Sequence, residues 1–212
     1  MTTEDTKTRD HWWWRPGWKQ GRSFYTWHIL VDDQPAIHEF AKQIQPELAA
    51  TGVLGPIPVE WLHMTMQGVG FTHEVSAETL NEIATAATAR LAALGPVTVT
   101  LGPPVADAEG VNLPVQPAEA VNAVRRAVRD GIADVWGSDR VPEAEDGFRP
   151  HVSLAYSHTS GAWLEPIRSI LARHATTIPA VLARASLIDI NRDHRMYQWK
   201  LIRRVPFGAG RT

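Results

Sequence analysis

The sequence contains no cysteine, which excludes disulfides and thiolate metal sites. It has no apolar run of membrane-spanning length, for which about 20 consecutive apolar residues are needed. The first ten residues, Met-Thr-Thr-Glu-Asp-Thr-Lys-Thr-Arg-Asp, lack the apolar core of a signal peptide and are expected to be disordered. A cytoplasmic location follows as the expectation. An excess of positive charge is missing too: 21 Lys and Arg against 23 Asp and Glu leave a formal net charge of −2. Proteins that grip long nucleic acid carry a basic field, because phosphate contacts dominate affinity. The expected ligand is therefore a nucleotide or an RNA end, with neither a DNA duplex nor a membrane as partner, and the chain is expected to act as a monomer.

What is present suits a globular fold. The chain has 212 residues, 44% hydrophobic and 21% charged, enough for one well-packed domain or two small lobes. A short pattern occurs twice. Residues 62–66 read Leu-His-Met-Thr-Met and residues 150–154 read Pro-His-Val-Ser-Leu. Side chains alternate faces along a strand. His63 and Thr65 then share one face and Met64 and Met66 the other. His151 and Ser153 likewise share a face, with Val152 and Leu154 behind. Alone, either motif is an ordinary polar pair on a half-exposed strand. Two of them facing one cleft would make a symmetric acid–base site around a phosphate.

The surroundings of the motifs repeat as well. Residues 23–31 read as a first strand. Ile37, Phe40, Ile44 and Leu48 predict a helix over 35–50, closed by Gly52. The first motif lies on a strand over 59–67, with Gly68 and Gly70 where it bends away. Ser76 caps a helix to Leu94, stopped by Gly95-Pro96. Residues 97–101 and 111–115 read as a hairpin. Pro117 opens a helix to Trp136 whose apolar face is Val121, Val124, Val128, Ile132 and Val135. Arg125, Arg126 and Arg129 then form its solvated face. After a loop over 137–147 comes the second motif strand, 148–156, a helix over 162–174, and strands over 181–190 and 197–205. Helix, histidine strand, helix and strand pair thus occur in the same order twice, an internal duplication of structure. Equivalent units pack about a pseudo-twofold axis, and that axis brings His63-Thr65 opposite His151-Ser153.

The arrangement resembles the 2H phosphoesterase superfamily, which includes the bacterial 2′-5′ RNA ligase-like proteins and the 2′,3′-cyclic nucleotide phosphodiesterases. Its signature is two H-x-[T/S]-h motifs, h being apolar. They stand here as His63-Met64-Thr65-Met66 and His151-Val152-Ser153-Leu154. Phe148 to Tyr156 is similar to the family segment P-H-[V/L]-[T/S]-L-x-Y, and Tyr197 to Phe207 to its last strand. The resemblance covers about residues 23–207 as a single domain and leaves residues 1–22 as a Trp-rich extension without counterpart. It implies an α+β, bilobal, pseudo-twofold fold, with two antiparallel sheets around a central cleft and helices outside.

For function, the resemblance implies a metal-independent phosphodiesterase acting on 2′,3′-cyclic phosphates or 2′-5′-linked nucleotides and RNA ends. His63, His151, Thr65 and Ser153 would be catalytic, and Trp27 and Tyr156 would line the substrate pocket. Tyr156, five residues after His151, has the wrong parity on an ideal strand and needs a twist or bulge to reach the cleft. The two imidazoles suit general acid and base work because their ordinary pKa is about 6.5, though pseudo-symmetry leaves the two roles unassigned. The hydroxyls would stabilise charge building on the phosphate. Run backwards, the same machinery would ligate.

Other readings stay open. No carboxylate or third histidine stands at ligand spacing with either motif, and there is no His-Glu-x-x-His, so neither metal nor cofactor is expected. His28 could face the cleft or the core. The Trp12–Trp18 cluster could be an N-terminal clasp, a stacking platform for bases with Arg15, or a partner interface. The alternative function is a nucleotide- or RNA-binding module of the same fold with little turnover.

Overall fold

A computed structural model of the chain describes residues 6–208. The elements run β1 (Phe24–Leu30), α1 (Pro35–Ala50), β2 (Leu54–Pro56), β3 (His63–Phe71), α2 (Ala77–Leu91), β4 (Val97–Leu101), β5 (Val105–Asp107) and β6 (Gly110–Gln116). They continue with α3 (Ala118–Trp136), β7 (His151–Ser157), α4 (Glu165–Arg173), β8 (Ile178–Leu182), β9 (Arg184–Asn191) and β10 (Gln198–Pro206). The strands form two antiparallel sheets. One has the order β10-β9-β1-β3, the other β2-β7-β6-β4-β8, with β5 paired to β6. The fold is α+β with two sheets, as the resemblance implies.

The duplicated halves are interlocked. β9 and β10 of the second half complete the sheet of the first histidine strand, β3. β4 and β6 of the first half complete the sheet of the second, β7. Neither half can bury its sheet alone, so a single apolar core runs through both, from Trp27, Met64 and Met66 to Leu113, Val152 and Leu154.

Several sequence expectations are corrected. Residues 181–190 are not one strand. The chain leaves the second sheet at Leu182 and enters the first at Arg184, and continuous apolar content cannot reveal a change of sheet. The strand carrying the first motif does not end at the glycines but runs on to Phe71. Gly68 is needed there for close approach, because a Cβ would come within 2.7 Å of Glu143 and 2.9 Å of the Phe24 ring. Residues 97–101 and 111–115 are joined only at their ends; the hairpin proper is β5–β6.

Arg125 and Arg129 are not a solvated face. Arg125 is buried and donates to the carbonyls of Met66, Ala144 and Glu145 at 2.7–3.0 Å. Arg129 donates to Gln67 Oε1 and to the carbonyls of Pro142 and Glu143. Both hold the 142–145 loop against β3. Only Arg126, paired with Glu119, is exposed.

The N-terminal residues also depart from expectation. Residues 1–5 lie outside the described residues. Residues 6–11 pair with the second lobe through Thr8 N–H to Ala162 O, Gly161 N–H to Thr8 O and His11 N–H to Ser157 O, at 2.7–2.9 Å. Residues 6–22 then cross to the first lobe as a strap, where Trp18 packs on Phe24 and Phe71. Gly17, at φ +81°, sits so close beneath the Phe71 ring that a Cβ would approach it to 2.6 Å.

Candidate active site

A cavity of about 420 Å³ lies between the two sheets. His63 and Thr65 reach it from β3, and His151 and Ser153 from β7. The two motifs are anchored alike. His63 Nδ1 lies 2.8 Å from the Trp61 carbonyl, and His151 Nδ1 lies 2.8 Å from the Arg149 carbonyl. A carbonyl only accepts, so Nδ1 carries the hydrogen in each ring. In the neutral form Nε2 is then left with its lone pair free.

The backbone matches too. Along β1–β3 the partners step from Trp27↔Gln67 to His28↔Thr65, leaving Met66 as an extra residue. Along β6–β7 they step from Val111↔Ala155 to Asn112↔Ser153, leaving Leu154 extra. Each motif thus carries a β-bulge at the apolar residue after its hydroxyl. A bulge reverses strand parity beyond it, and this brings Tyr156 round to the cleft wall.

No such correction operates on β1. Phe24, Thr26 and His28 line the cavity in strict alternation. Trp27 points the other way and is fully buried in the core. The expectation that Trp27 lines the pocket therefore fails on parity: the bulges belong to β3, so β1 keeps its period of 2. His28, left open between cleft and core, faces the cleft although it is 2% exposed.

The environments of the two motifs differ. His28 stacks flat on His63 at 4.4 Å, and Trp199 and Tyr197 meet His63 edge-on at 5.2 and 6.1 Å. Burial, together with the nearby His151, lowers the His63 pKa to about 4 against the opposing bond to Trp61 O. Burial and the neighbouring His63 hold His28 well below the usual imidazole range. Both rings are neutral at pH 7. His151 is exposed. The hydroxyls are reversed: Thr65 is exposed with no hydrogen-bond partner among the described residues, whereas Ser153 is buried and donates to Asn112 Oδ1 at 2.7 Å. Asn112 in turn donates to Asp107 at 2.8 Å.

The strap forms one end of the cavity. His11, Arg15 and Trp18 line it. Glu109 gathers the strap by accepting from Arg9, His11, Trp13 and Arg15 at 2.8–3.3 Å. Burial opposes ionisation of Glu109, but the Arg15 guanidinium, the Trp13 indole and its other donors keep it below the usual carboxylate range. Arg192 pins the strap from behind. It donates to the His11 carbonyl at 3.0 Å and lies against the rings of Trp12, Trp14, Trp18 and Tyr197. No isolated motif signals these residues; Asn112 and His28 are found only by pairing each hydroxyl with its cross-strand neighbour. Among the described residues no group of three or more His, Asp or Glu is placed to hold a metal ion, and no helix is long and apolar enough to cross a membrane.

Two interlocked lobes with an anchored imidazole from each sheet define a two-histidine phosphoesterase architecture. The sequence profile of the 2′-5′ RNA ligase superfamily matches residues 32–194, and the chain belongs to that family. It is accordingly an enzyme of the phosphoesterase or ligase type. A search among proteins of curated function finds no match. Among solved structures it is similar to TT0787 of Thermus thermophilus, with TM-score 0.65 and 16% identity over 90% of this chain and 100% of that one. It is also similar to E. coli LigT in apo form, with TM-score 0.55 and 15% identity over 88% and 98%, and to E. coli LigT complexed with 3′-AMP, with TM-score 0.52 and 16% identity over 88% and 98%. These likenesses establish the fold.

Proposed function

We propose that the chain is a metal-independent phosphodiesterase acting in the cytoplasm, as a monomer, on 2′,3′-cyclic phosphates or 2′-5′-linked nucleotides and RNA ends. The observation that carries this reading is the identical anchoring of two imidazoles, each with Nδ1–H fixed on a carbonyl two residues back, in one cleft. Crystal structures of E. coli LigT hold phosphate, 3′-AMP and ATP, which supports a phosphorylated ligand.

The two environments favour a division of roles. His63 is neutral at pH 7 and its Nε2 accepts, so it takes the proton from the attacking water. His151 is exposed at the cleft, on the opposite sheet from His63. It delivers a proton to the leaving oxygen. Thr65 and Ser153 donate to the nonbridging oxygens as charge builds in the transition state. The proton balance closes: one leaves water at His63 and one reaches the alkoxide from His151. Reversal would join an RNA end to a hydroxyl.

The test is turnover of 2′,3′-cyclic AMP by the full chain in the presence of a strong chelator, alongside His63→Ala and His151→Ala. Sustained wild-type turnover that each substitution abolishes is the expected result. Binding of 3′-AMP without turnover would leave a nucleotide-binding module. Loss with chelator, restored by a divalent ion, would replace this mechanism with a metal-dependent one.

A further inference from the structure

The strap does more to the cleft than close one end. Tyr156 presents an aromatic face of the kind on which a base stacks, but that face is taken. The His11 imidazole lies on it at 4.0 Å and 15°, a parallel stack. Trp12 and Tyr197 meet the same tyrosine edge-on at 5.4 and 5.6 Å, leaving Tyr156 8% exposed.

His11 is fixed at both nitrogens. Nδ1 lies 3.1 Å from Glu109 Oε2 and Nε2 lies 3.1 Å from the Tyr197 hydroxyl. A carboxylate only accepts, so Nδ1 carries the hydrogen. Burial lowers the His11 pKa to about 4, with help from Arg15. The ring is neutral at pH 7, and Nε2 accepts from the tyrosine O–H. An imidazole whose face is stacked and whose two edges are both bonded is a built fixture of the pocket. It occupies the volume and makes the stacking contact that an aromatic base would.

We propose that His11 is a specificity-determining residue that takes the place of a nucleobase on Tyr156, so that the site recognises the sugar–phosphate diester and is indifferent to the base. This inference rests on the proposed phosphodiesterase reading and narrows its substrate class to cyclic or 2′-5′-linked sugar phosphates carrying any base, or none. The strap supplies the discrimination, through the Glu109 and Arg192 contacts that seat His11.

Calorimetric binding tests this without relying on turnover. The probes are inorganic phosphate, ribose 3-phosphate and 3′-AMP, with the full chain. In the wild type, 3′-AMP is expected to bind within about threefold of ribose 3-phosphate. In His11→Ala the Tyr156 face opens, and the ratio should rise at least about tenfold in favour of 3′-AMP, in keeping with the size of base–aromatic stacking. In His11→Ala/Tyr156→Ala that gain should vanish. His11→Phe keeps a ring on the tyrosine and should keep the wild-type ratio, which separates loss of the stacked ring from loosening of the strap. The proposal is overturned if the wild type already prefers 3′-AMP about tenfold, if His11→Ala leaves the ratio unchanged, or if the gain survives loss of Tyr156. Failure of the phosphodiesterase reading would show differently, as phosphate binding without cyclic-phosphate turnover, whatever the base ratio.

Discussion

His63 and His151 hold their rings by the same bond, Nδ1–H to the carbonyl two residues back, yet His63 is 7% exposed inside a box of rings and His151 stands open to the cleft. Their hydroxyl partners show the reverse. Thr65 is free beside the buried histidine, and Ser153 is bound beside the open one. The origin of the difference lies one strand away. His28 is the cross-strand partner of Thr65, and Asn112 is the cross-strand partner of Ser153. These two positions correspond in the repeat but hold different residues. His28 covers His63 and removes it from water. Asn112 engages the serine instead and leaves His151 uncovered. Duplication supplied two equal imidazoles; on the proposed mechanism, a single pair of neighbours makes one a base and the other an acid.

The largest expected effect tests that division directly. His63→Ala and His151→Ala should each lower kcat/KM on 2′,3′-cyclic AMP by about 10²–10⁴. The two should part company on a nitrophenyl phosphodiester, whose leaving oxygen needs no protonation. There His151→Ala should recover most of the rate and His63→Ala should not. Equal recovery by both variants would mean the roles are not divided.

A smaller contrast is expected at the hydroxyls. Thr65→Ala removes a free donor and should cost about 10²–10³ in kcat, the range for loss of one oxyanion donor. The Ser153 hydrogen already points to Asn112 and must turn to serve a substrate, so Ser153→Ala should cost less, roughly tenfold. Steady-state kinetics on the same substrate decide the order, and a larger loss at Ser153 would sink the comparison.

The four motif residues were legible in the sequence because a period of 2 and a repeated tripeptide are local signals. The order of elements showed the duplication, and the resemblance implied two sheets with helices outside; the exchange of strands between the halves was not legible, because it depends on pairing between distant segments. What lay hidden depended on parity and on distance along the chain. Trp27 and Tyr156 both matched the family's pocket aromatics, Tyr156 only on condition of a twist or bulge; the bulge at Leu154 turns Tyr156 into the cleft, while unbulged β1 turns Trp27 into the core. A bulge has no reliable composition. Arg125 and Arg129 fell on the polar side of their helix, and only the fold of the 142–145 loop over them makes that side an interior. The strap was visible as a tryptophan cluster. That His11 and Arg15 would share one carboxylate with Arg9 and Trp13 depends on Glu109, more than 90 residues away in the chain.

The smallest and most specific effect concerns pH, through His28→Asn, which makes the first motif's neighbour match the second's. Removing the stacked ring exposes His63 to water. Burial is the main cause of its low pKa, so that value should climb from about 4 toward the ordinary range near 6.5. A general base works only when neutral, so kcat/KM falls as pH drops through its pKa. The acid limb should therefore move upward, and the variant should lose activity at pH 5 while matching the wild type more closely at pH 8. Stability should shift in the opposite sense. His11, His28 and His63 all titrate lower when folded than the usual imidazole. As pH falls below about 6.5, the unfolded chain takes up protons that the folded chain refuses, so stability falls with pH until the folded values are reached. Each such imidazole contributes a slope of about 1.4 kcal/mol per pH unit in that window. His28→Asn removes one of the three outright and relaxes a second, so its stability, read by urea unfolding between pH 6.5 and 4.5, should depend on pH less steeply by roughly one to two protons. An unmoved acid limb together with an unchanged slope would show that His28 does not set the difference between the two histidines.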